Sequence, residues 1–274
     1  DVERSRGLGD VYKRQKQDRP LDGWRILVPR GGPWGDGVAA SLRSRGAVPV
    51  VAPLINFAAT TDQAALDVAL TRLAAGEYDW LTVTSATTVD VMFAHRAVVP
   101  RRTKIAAVGE TTAAALQAVG YEVAMVPDED NSAAGMAEQL IALEAEPRRI
   151  LALRSEIAKP VLSVLLQEAG HDVDSVVAYR TVGVPVTDRI KRDVENGRIN
   201  AILITSGSVA EQVREQFPLI PDETLLAAIG PRTAKDADKA GLPITVVADR
   251  QTVDALIDAV SSYTLPHAAD ELAP

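Results

Sequence analysis

Seven short polar segments of this 274-residue chain each follow an apolar run and precede a stretch with helical periodicity. They are residues 29–32, 84–85, 109–111, 131–132, 154–155, 205–208 and 230–233. Amides at the start of a helix have no intrahelical partner, and with small hydroxyls beside them they bind anions. Ser and Thr are also ordinary helix N-caps. As a set, the segments favour a ligand that carries several carboxylates or phosphates.

Tyr179 is a separate candidate, because it closes the apolar run 173–178 and stands before a polar stretch. A phenol at such a place can donate a proton or a hydrogen bond to a leaving hydroxyl. The alternative is a hinge tyrosine that packs its ring and bonds a backbone carbonyl. Arg154 and Lys159 lie near the start of the preceding helix, where they can hold carboxylates or be solvated surface cations.

Several familiar catalytic signatures do not occur in the sequence. There is no cysteine, the three histidines are isolated, and neither a phosphate-binding loop with Gly-Lys-Ser/Thr nor a Gly-x-Ser-x-Gly elbow is present. Residues 35–40 match Gly-x-Gly-x-x-Ala, but they begin about seven residues after the strand, and the next strand closes without an acidic residue. We therefore expect no metal and no nucleotide cofactor.

Charge and hydropathy disfavour two further classes of protein, those that bind nucleic acid and those that span a membrane. The net charge is −8, and beyond residue 20 the chain has 23 Lys and Arg against 33 Asp and Glu, which disfavours nucleic-acid binding. The longest nearly charge-free run, 47–59, has 13 residues and contains Pro49 and Pro53, too short to cross a bilayer. Residues 1–19 are predicted to be a disordered leader and 266–274 a frayed tail.

From residue 21 onward, apolar runs of four to six residues alternate with amphipathic stretches of 10–15, which is typical of β-α-β units in a parallel sheet. The predicted strands are 24–28, 48–52, 79–83, 104–108, 122–126, 149–153, 173–179, 200–204, 225–229 and 243–247.

The chain also repeats itself. Residues 84–120 match 205–241 at an offset of 121, and a weaker offset of 124 relates residues 26–46 to 150–170. Chance similarity among parallel α/β sheets is the alternative. The two copies span about 24–128 and 148–249, and each has the plan of a five-stranded, doubly wound sheet.

Turn-like, Pro-bearing stretches at 53–60 and 181–187 follow the second strand of each copy and predict two crossings between domains. The predicted fold is therefore α/β, with two flavodoxin-like, doubly wound parallel-sheet domains joined by a two-stranded linker. Domain one is discontinuous, 20–54 plus 185–265, and domain two is 57–180. The polar segments of the two domains would then face one cleft.

Read together, residues 21–263 resemble the uroporphyrinogen-III synthase family of tetrapyrrole biosynthesis. The resemblance is carried by residues 26–30 (ILVPR), 83–85 (VTS), 106–109 (AAVG) with 111–113 (TTA), 177–181 (VAYRT) and 227–234 (AAIGPRTA). It implies a cofactor-independent hydro-lyase that converts hydroxymethylbilane to uroporphyrinogen III with loss of water, inversion of ring D and macrocycle closure. That product feeds haem, sirohaem and cobalamin.

By the same resemblance, Tyr179 assists loss of the hydroxyl, which gives an azafulvene that ring D attacks through a spiro intermediate. The substrate has eight carboxylates, and Thr84, Ser85, Ser206 and Thr233 would contact some of them, often through main-chain amides. Lys159 stands where many members have arginine, which keeps the charge and loses the bidentate fork. Glu110 adds a negative charge to one expected carboxylate-binding loop.

The predicted catalytic residue is Tyr179. The predicted substrate-binding residues are Arg30, Thr84, Ser85, Gly109, Thr111, Ser132, Arg154, Ser155, Lys159, Thr205, Ser206, Gly230, Arg232 and Thr233. The resemblance further implies a cytoplasmic monomer that contacts the upstream deaminase transiently and binds neither nucleic acid nor membrane. A non-catalytic sensor of a polyanionic small molecule is the alternative, whereas the nine residues after Leu265 are too few for a DNA-binding domain.

Overall fold

The computed structural model of the chain describes residues 19–128 and 130–270, and for 265–270 only the backbone. The chain forms two compact units, of which unit 1 contains the residues up to Asn56 and those from Gly183 onward, and unit 2 is Phe57–Val182. The predicted domain ranges end within three residues of these divisions, and their independence as folding domains stays a prediction. All of the predicted leader except Arg19 lies outside the described residues, as do 271–274 of the predicted tail.

In chain order the elements are β1 (Arg25–Val28), α1 (Gly32–Ser44), β2 (Val48–Val51), β3 (Ile55–Ala59), α2 (Gln63–Ala74), β4 (Trp80–Val83), α3 (Ala86–Ala94), β5 (Lys104–Ala107), α4 (Glu110–Ala118), α5 (Ala133–Leu143), β6 (Arg149–Ser155), α6 (Val161–Glu168), β7 (Asp172–Gly183), α7 (Asp188–Glu195), β8 (Ala201–Ile204), α8 (Gly207–Gln216), β9 (Leu225–Ala228), α9 (Pro231–Lys239), β10 (Val246–Val247) and α10 (Val253–Asp270). Residues 266–270 of the predicted tail are thus helical.

The sheet of unit 1 has the strand order β2-β1-β8-β9-β10, with every neighbouring pair parallel. Numbered within the unit, this order is 2-1-3-4-5, the flavodoxin-like doubly wound arrangement. It is assembled from two strands near the start of the chain and three near its end. The predicted α/β fold with a discontinuous first sheet is therefore confirmed.

The sheet of unit 2 has the order β3-β7-β6-β4-β5. The pairs β6·β7, β4·β6 and β4·β5 are parallel, and a single parallel bridge joins Ala106 of β5 to Met125. The predicted strand 122–126 is reduced to this bridge, and the predicted strand 243–247 to the two residues of β10. Both are the last strand of their repeat.

The internal repeat is confirmed, because equivalent elements begin at equivalent residues. An offset of 121 carries the bounds of β4 and β5 onto those of β8 and β9, and it carries the first residues of α3 and α4 onto those of α8 and α9. An offset of 124 carries the first residues of β1 and β2 onto those of β6 and β7. Each repeat therefore gives strands to both sheets, as the two predicted crossings between domains require.

Side-chain contacts repeat as well. Four bonds between a side chain and the backbone at the amino edges of the sheets form two equivalent pairs. They are Arg25 N to Asn200 Oδ1 (2.8 Å), Arg149 N to Asp79 Oδ2 (2.9 Å), Thr103 Oγ1 to Tyr78 O (2.7 Å) and Thr224 Oγ1 to Ile199 O (3.0 Å). These bonds satisfy backbone groups that precede the ladders, so both copies begin their strands in the same way.

The two crossings between units are made in β3 and at the end of β7, which are neighbours in the sheet of unit 2. The predicted two-stranded linker is thus present, whereas the expectation of turns was wrong for residues 55–59 and 181–183. Strand pairing satisfies the backbone of a crossing segment, which a free turn would leave to solvent. Ile55 and Phe57 give β3 the spacing of a half-buried strand, although Pro53 precedes it.

Both faces of each sheet are covered by helices. In unit 1 Ile26 and Val28 pack with residues of α1 and α10, whereas Leu27, between them, packs with residues of α7, α8 and α9. This alternation is the period of two expected of a strand buried on both sides. Unit 2 likewise has one apolar cluster on each face of its sheet.

One buried hydroxyl in unit 2 predicts a stabilising substitution. Thr82 of β4 is fully buried between Ala106 and Ala152, and within the described residues its Oγ1 has no hydrogen-bond partner. Because valine has nearly the same shape and no polar group, Thr82→Val should raise the free energy of unfolding by about 1 kcal/mol. Thr103→Val is the matched control, since it removes the bond to Tyr78 O and should destabilise by a similar amount. Urea denaturation of both variants measures this, and two changes of the same sign would contradict it.

A second stability prediction concerns the end of α5. The Glu144 side chain is 8% exposed and accepts hydrogen bonds from Trp80 Nε1 at 2.8 Å and Arg148 Nε at 2.6 Å, with Lys104 Nζ at 3.5 Å. Burial of the carboxyl raises its pKa, but the bonds from Trp80 and Arg148 and the nearby positive charges outweigh burial and lower the pKa. Because the pKa is lower in the folded state, the ionised Glu144 carboxylate stabilises the folded protein at pH values above the unfolded-state pKa. This stabilisation is lost as the pH falls through the folded-state pKa.

Glu144→Gln should therefore lower the free energy of unfolding at pH 7 by about 1.5 kcal/mol. The difference from wild type should shrink as the pH falls below the ordinary glutamate pKa of about 4.3 and through the lower pKa of the folded protein. Glu146→Gln, at an exposed position two residues further on, should change little at either pH. Denaturant titrations at several pH values test this, and a difference that stays constant down to pH 2 would count against it.

Candidate active site

The carboxyl edge of the unit 2 sheet gathers helix N-termini with hydroxyl caps. Ser85 follows β4 by two residues and caps α3, its Oγ accepting from the amide of Thr88 at 3.2 Å. Ser132 caps α5 in the same way, accepting from the amide of Gly135 at 3.1 Å and donating to Asp130 Oδ2 at 2.7 Å. Both serines thus serve as ordinary helix N-caps, which was the structural alternative to anion binding at these positions.

The N-terminus of α4, also at this edge of unit 2, has no side-chain cap. Gly109 is its N-cap residue, with φ +76°, a left-handed conformation that glycine adopts without strain. Thr111 and Glu110 are exposed in the first helical turn. The carboxylate of Glu110 interacts favourably with the helix dipole, which gives a structural reason for an acidic residue in this loop.

Tyr179 lies against the first of these caps. Its hydroxyl oxygen is 3.1 Å from Ser85 Oγ, and either atom can be the donor. The side chain is buried, and its ring meets that of Phe57 edge to face, with the centroids 5.5 Å apart. Among the described residues the hydroxyl bonds a second hydroxyl and no backbone carbonyl, so two exchangeable protons share this point of the edge.

The cations beside Tyr179 differ in how they are held. Arg154 donates from Nε to Ser175 Oγ at 3.0 Å and from Nη1 to the carbonyls of Ser155 and Glu156 at 3.1 and 3.3 Å. Lys159, five residues after Arg154, is exposed. Protein groups thus already engage the arginine that was predicted to bind substrate.

Unit 1 has an equivalent edge. Ser206 caps α8, accepting from the amide of Val209 at 3.2 Å, and Gly230 is the N-cap residue of α9. Thr205 Oγ1 is buried, and within the described residues it has no hydrogen-bond partner. A buried hydroxyl of this kind is costly unless a further group bonds it.

The other predicted residues of this edge vary in exposure. Thr233 is buried in α9, and Arg232 beside it is exposed. The guanidinium carbon of Arg30 lies 4.9 Å from the centre of the Trp34 ring, a cation–π contact. The dinucleotide-like glycines lie within α1, where Gly35 is buried and a Cβ on it would stand 2.2 Å from Arg30 O. They form helix and not a phosphate-binding loop.

The repeat relates the helix caps of the two edges to each other, but it does not repeat the tyrosine. The 121-residue offset relates Ser85 to Ser206 and Gly109 to Gly230, whereas the 124-residue offset relates Tyr179 to Ile55. The phenol of Tyr179 therefore has no counterpart in the other copy. Its ring partner, Phe57, was missed from the sequence because its segment was taken for a turn, and the alternation of Ile55 with Phe57 was the available signal.

Residues 19–128 and 130–270 lack two further features. No group of three or more His, Cys, Asp or Glu side chains there could hold a metal ion. No helix in the same part of the chain is long and apolar enough to cross a membrane.

The fold and the two edges define an α/β protein of two interleaved parallel sheets with hydroxyl-lined helix N-termini. A profile of the Uroporphyrinogen-III synthase HemD family matches residues 36–258. The porphyrin biosynthesis protein HemD of Ruminiclostridium josui is 31% identical over 251 residues, which is 88% of this chain and 48% of that protein. The chain thus spans about half the length of this relative.

Solved structures agree on the fold. A mutant uroporphyrinogen III synthase from the extremely thermophilic bacterium Thermus thermophilus matches with a TM-score of 0.61 at 18% identity, over 89% of this chain and all of that one. Uroporphyrinogen-III synthetase from Helicobacter pylori 26695 matches with a TM-score of 0.61 at 19% identity, over 88% and 99%. The chain belongs to the uroporphyrinogen-III synthase family, hydro-lyases of tetrapyrrole biosynthesis, and the resemblance seen in the sequence is confirmed.

Proposed function

We propose that this chain converts hydroxymethylbilane to uroporphyrinogen III. The observation that carries the proposal is the bond between the hydroxyls of Tyr179 and Ser85, at a sheet edge lined with helix N-termini, in a member of this family. Such an edge suits a substrate with many carboxylates and one hydroxyl to be lost.

The chemical step requires a proton and a restrained substrate. The Tyr179 hydroxyl donates a proton to the leaving hydroxyl, the carbon–oxygen bond breaks, and water departs as the pyrrole nitrogen supplies its electron pair. The substituted carbon of ring D then attacks the electron-deficient carbon, which gives the spiro intermediate. The bond from that ring D carbon to its original methylene bridge then breaks, and the freed methylene bonds the unsubstituted α-carbon of ring D, which closes the macrocycle. The proton that this α-carbon loses restores the tyrosine. Ser85 holds the phenol in position and can exchange a proton with it.

The remaining predicted residues, apart from Arg154, bind carboxylates. The free amides at the starts of α3, α4 and α5 serve the unit 2 edge through Thr84, Ser85, Gly109, Thr111 and Ser132, with Ser155 and the exposed Lys159 beside them. The starts of α8 and α9 serve unit 1 through Thr205, Ser206, Gly230, Arg232 and Thr233, and Arg30 stands at the start of α1.

Finer aspects of the proposal follow from the family resemblance. The chain acts as a cytoplasmic monomer without a cofactor, and it takes its reactive substrate from the deaminase that makes it during a transient encounter. Sedimentation of the chain alone and with that deaminase tests both statements, since a stable oligomer or a lasting complex would contradict them.

The decisive experiment is an isomer assay. Hydroxymethylbilane is generated in situ by the deaminase, the purified protein is added, and the oxidised products are separated into type I and type III uroporphyrin. We expect mainly type III, whereas the mixture without this protein gives type I by unaided cyclisation. Type I alone from a folded protein would overturn the proposal and favour the sensor alternative.

A further inference from the structure

Tyr179 reaches Ser85 because strand β7 is irregular just before it. In the pairing of β6 with β7, Arg154 lies opposite Val177 and Ser155 lies opposite Tyr179, so Ala178 is an extra residue. This is a β-bulge. Ala178 and Tyr179 are consecutive, yet both belong to the same apolar cluster, whereas consecutive side chains of a regular strand point to opposite faces. Removing the bulge would turn the Tyr179 side chain away from Ser85.

Arg154 fastens the strand that faces the bulge. Its Nη1 donates to the carbonyls of Ser155 and Glu156, the two residues directly after the register shift, and its Nε is fixed by Ser175 Oγ. The amide of Glu156 in turn donates to the Tyr179 carbonyl at 3.0 Å. An unbroken set of hydrogen bonds thus leads from the guanidinium to the backbone of Tyr179.

We propose that Arg154 is a positioning residue that holds the bulge and thereby aims the Tyr179 hydroxyl, and not a ligand of substrate carboxylates. This inference rests on the proposed function, and it replaces the role that the sequence assigned to Arg154. The bonds of Nε and Nη1 are directed at protein groups, so the bidentate fork that recognises a carboxylate is already divided between them.

The two roles of Arg154 predict different kinetics. Arg154→Gln should lower kcat by about tenfold and leave KM within about twofold, since a displaced catalytic group affects the transition state. A carboxylate ligand would instead give a raised KM. Ser175→Ala separates the roles further, because it keeps the charge of Arg154 and removes only its anchor. Positioning predicts that this variant loses about threefold in kcat with KM unchanged.

A direct structural measurement accompanies the kinetics. Hydrogen exchange at the Glu156 amide should be about tenfold faster in Arg154→Gln, because the bond to Tyr179 O then opens more often. Arg45→Gln is the matched control: Arg45 donates to the Ser41 carbonyl and pairs with Asp258 in unit 1, so the variant loses similar bonds elsewhere. It should show wild-type kcat and unchanged exchange at Glu156.

The outcomes are distinguishable. A raised KM with unchanged kcat in Arg154→Gln, or wild-type kcat in Ser175→Ala, would overturn the positioning role. Unchanged hydrogen exchange at the Glu156 amide would overturn the positioning role as well. If Arg154→Gln proves too unstable for kinetics, Ser175→Ala takes its place in both measurements. A wild-type protein that gives only type I product would instead refute the proposed function, before any variant is compared.

Discussion

Tyr179→Phe lowers kcat for uroporphyrinogen III formation by about 100-fold, within the usual range for loss of a general acid. The phenyl ring keeps its edge-to-face contact with Phe57. Only the hydroxyl bond to Ser85 is lost, so the free energy of unfolding falls by no more than about 1 kcal/mol. The residual product shifts toward the type I isomer, because unaided cyclisation then competes with the enzyme. The isomer assay and a denaturant titration measure both effects.

Tyr121→Phe is the control for this variant. The Tyr121 hydroxyl donates to the carbonyl of Ala97 at 2.7 Å in the same unit, so its removal costs a comparable bond without touching the edge that bears Tyr179. We expect wild-type kcat and isomer ratio from it. A Tyr179→Phe enzyme with near wild-type turnover would rule out the proton-donor role.

Gly35→Ala lowers the free energy of unfolding by about 3 kcal/mol, at the upper end for overpacking. A Cβ at this position would lie 2.2 Å from the carbonyl oxygen of Arg30 and 3.0 Å from its carbon. These are backbone atoms, so no side-chain rotation relieves the overlap and the loop that carries Arg30 must move. The better helix propensity of alanine stabilises the folded protein by only about 1 kcal/mol.

The same helix contains the control. Gly37 is exposed two residues further on, and a Cβ there would meet nothing within 4 Å. Gly37→Ala should therefore stabilise the protein by about 0.5 kcal/mol or slightly more. Thermal or urea unfolding of the two variants should move the midpoint in opposite directions. Equal midpoints would show that the crowding at Gly35 is relieved without cost.

The sequence predicted the sheets well because their strands are apolar on both faces and end in small polar caps. The repeat fixed even the first residues of helices, since Ser85 and Ser206 cap them with the same bond. What escaped prediction were the bounds of β3 and its place in the sheet of unit 2, because its ladder partner β7 lies more than 100 residues away. Local signals such as Pro53 indicate a turn there, and only a distant strand decides otherwise.

The candidate site was predictable in its residue types and not in its contacts. Tyr179 was found because it ends an apolar strand, but its pairing with Ser85 spans 94 positions in the chain. That pairing depends on one extra residue in β7, which no feature of the sequence marks. Arg154 illustrates the same limit, because an arginine at a helix start looks like an anion ligand until its actual partners are known.

The distribution of each repeat over both sheets bears on how such a chain could arise. In both units the central pairing joins the two repeats, β1 with β8 and β4 with β6. A gene that encoded one repeat alone would yield a product with no complete sheet, so it could fold only as two intertwined copies. Tandem duplication within one gene makes that association intramolecular and independent of protein concentration. It also frees the two halves to diverge, so that one copy could gain the phenol of Tyr179 while the other kept Ile55 at the matching position.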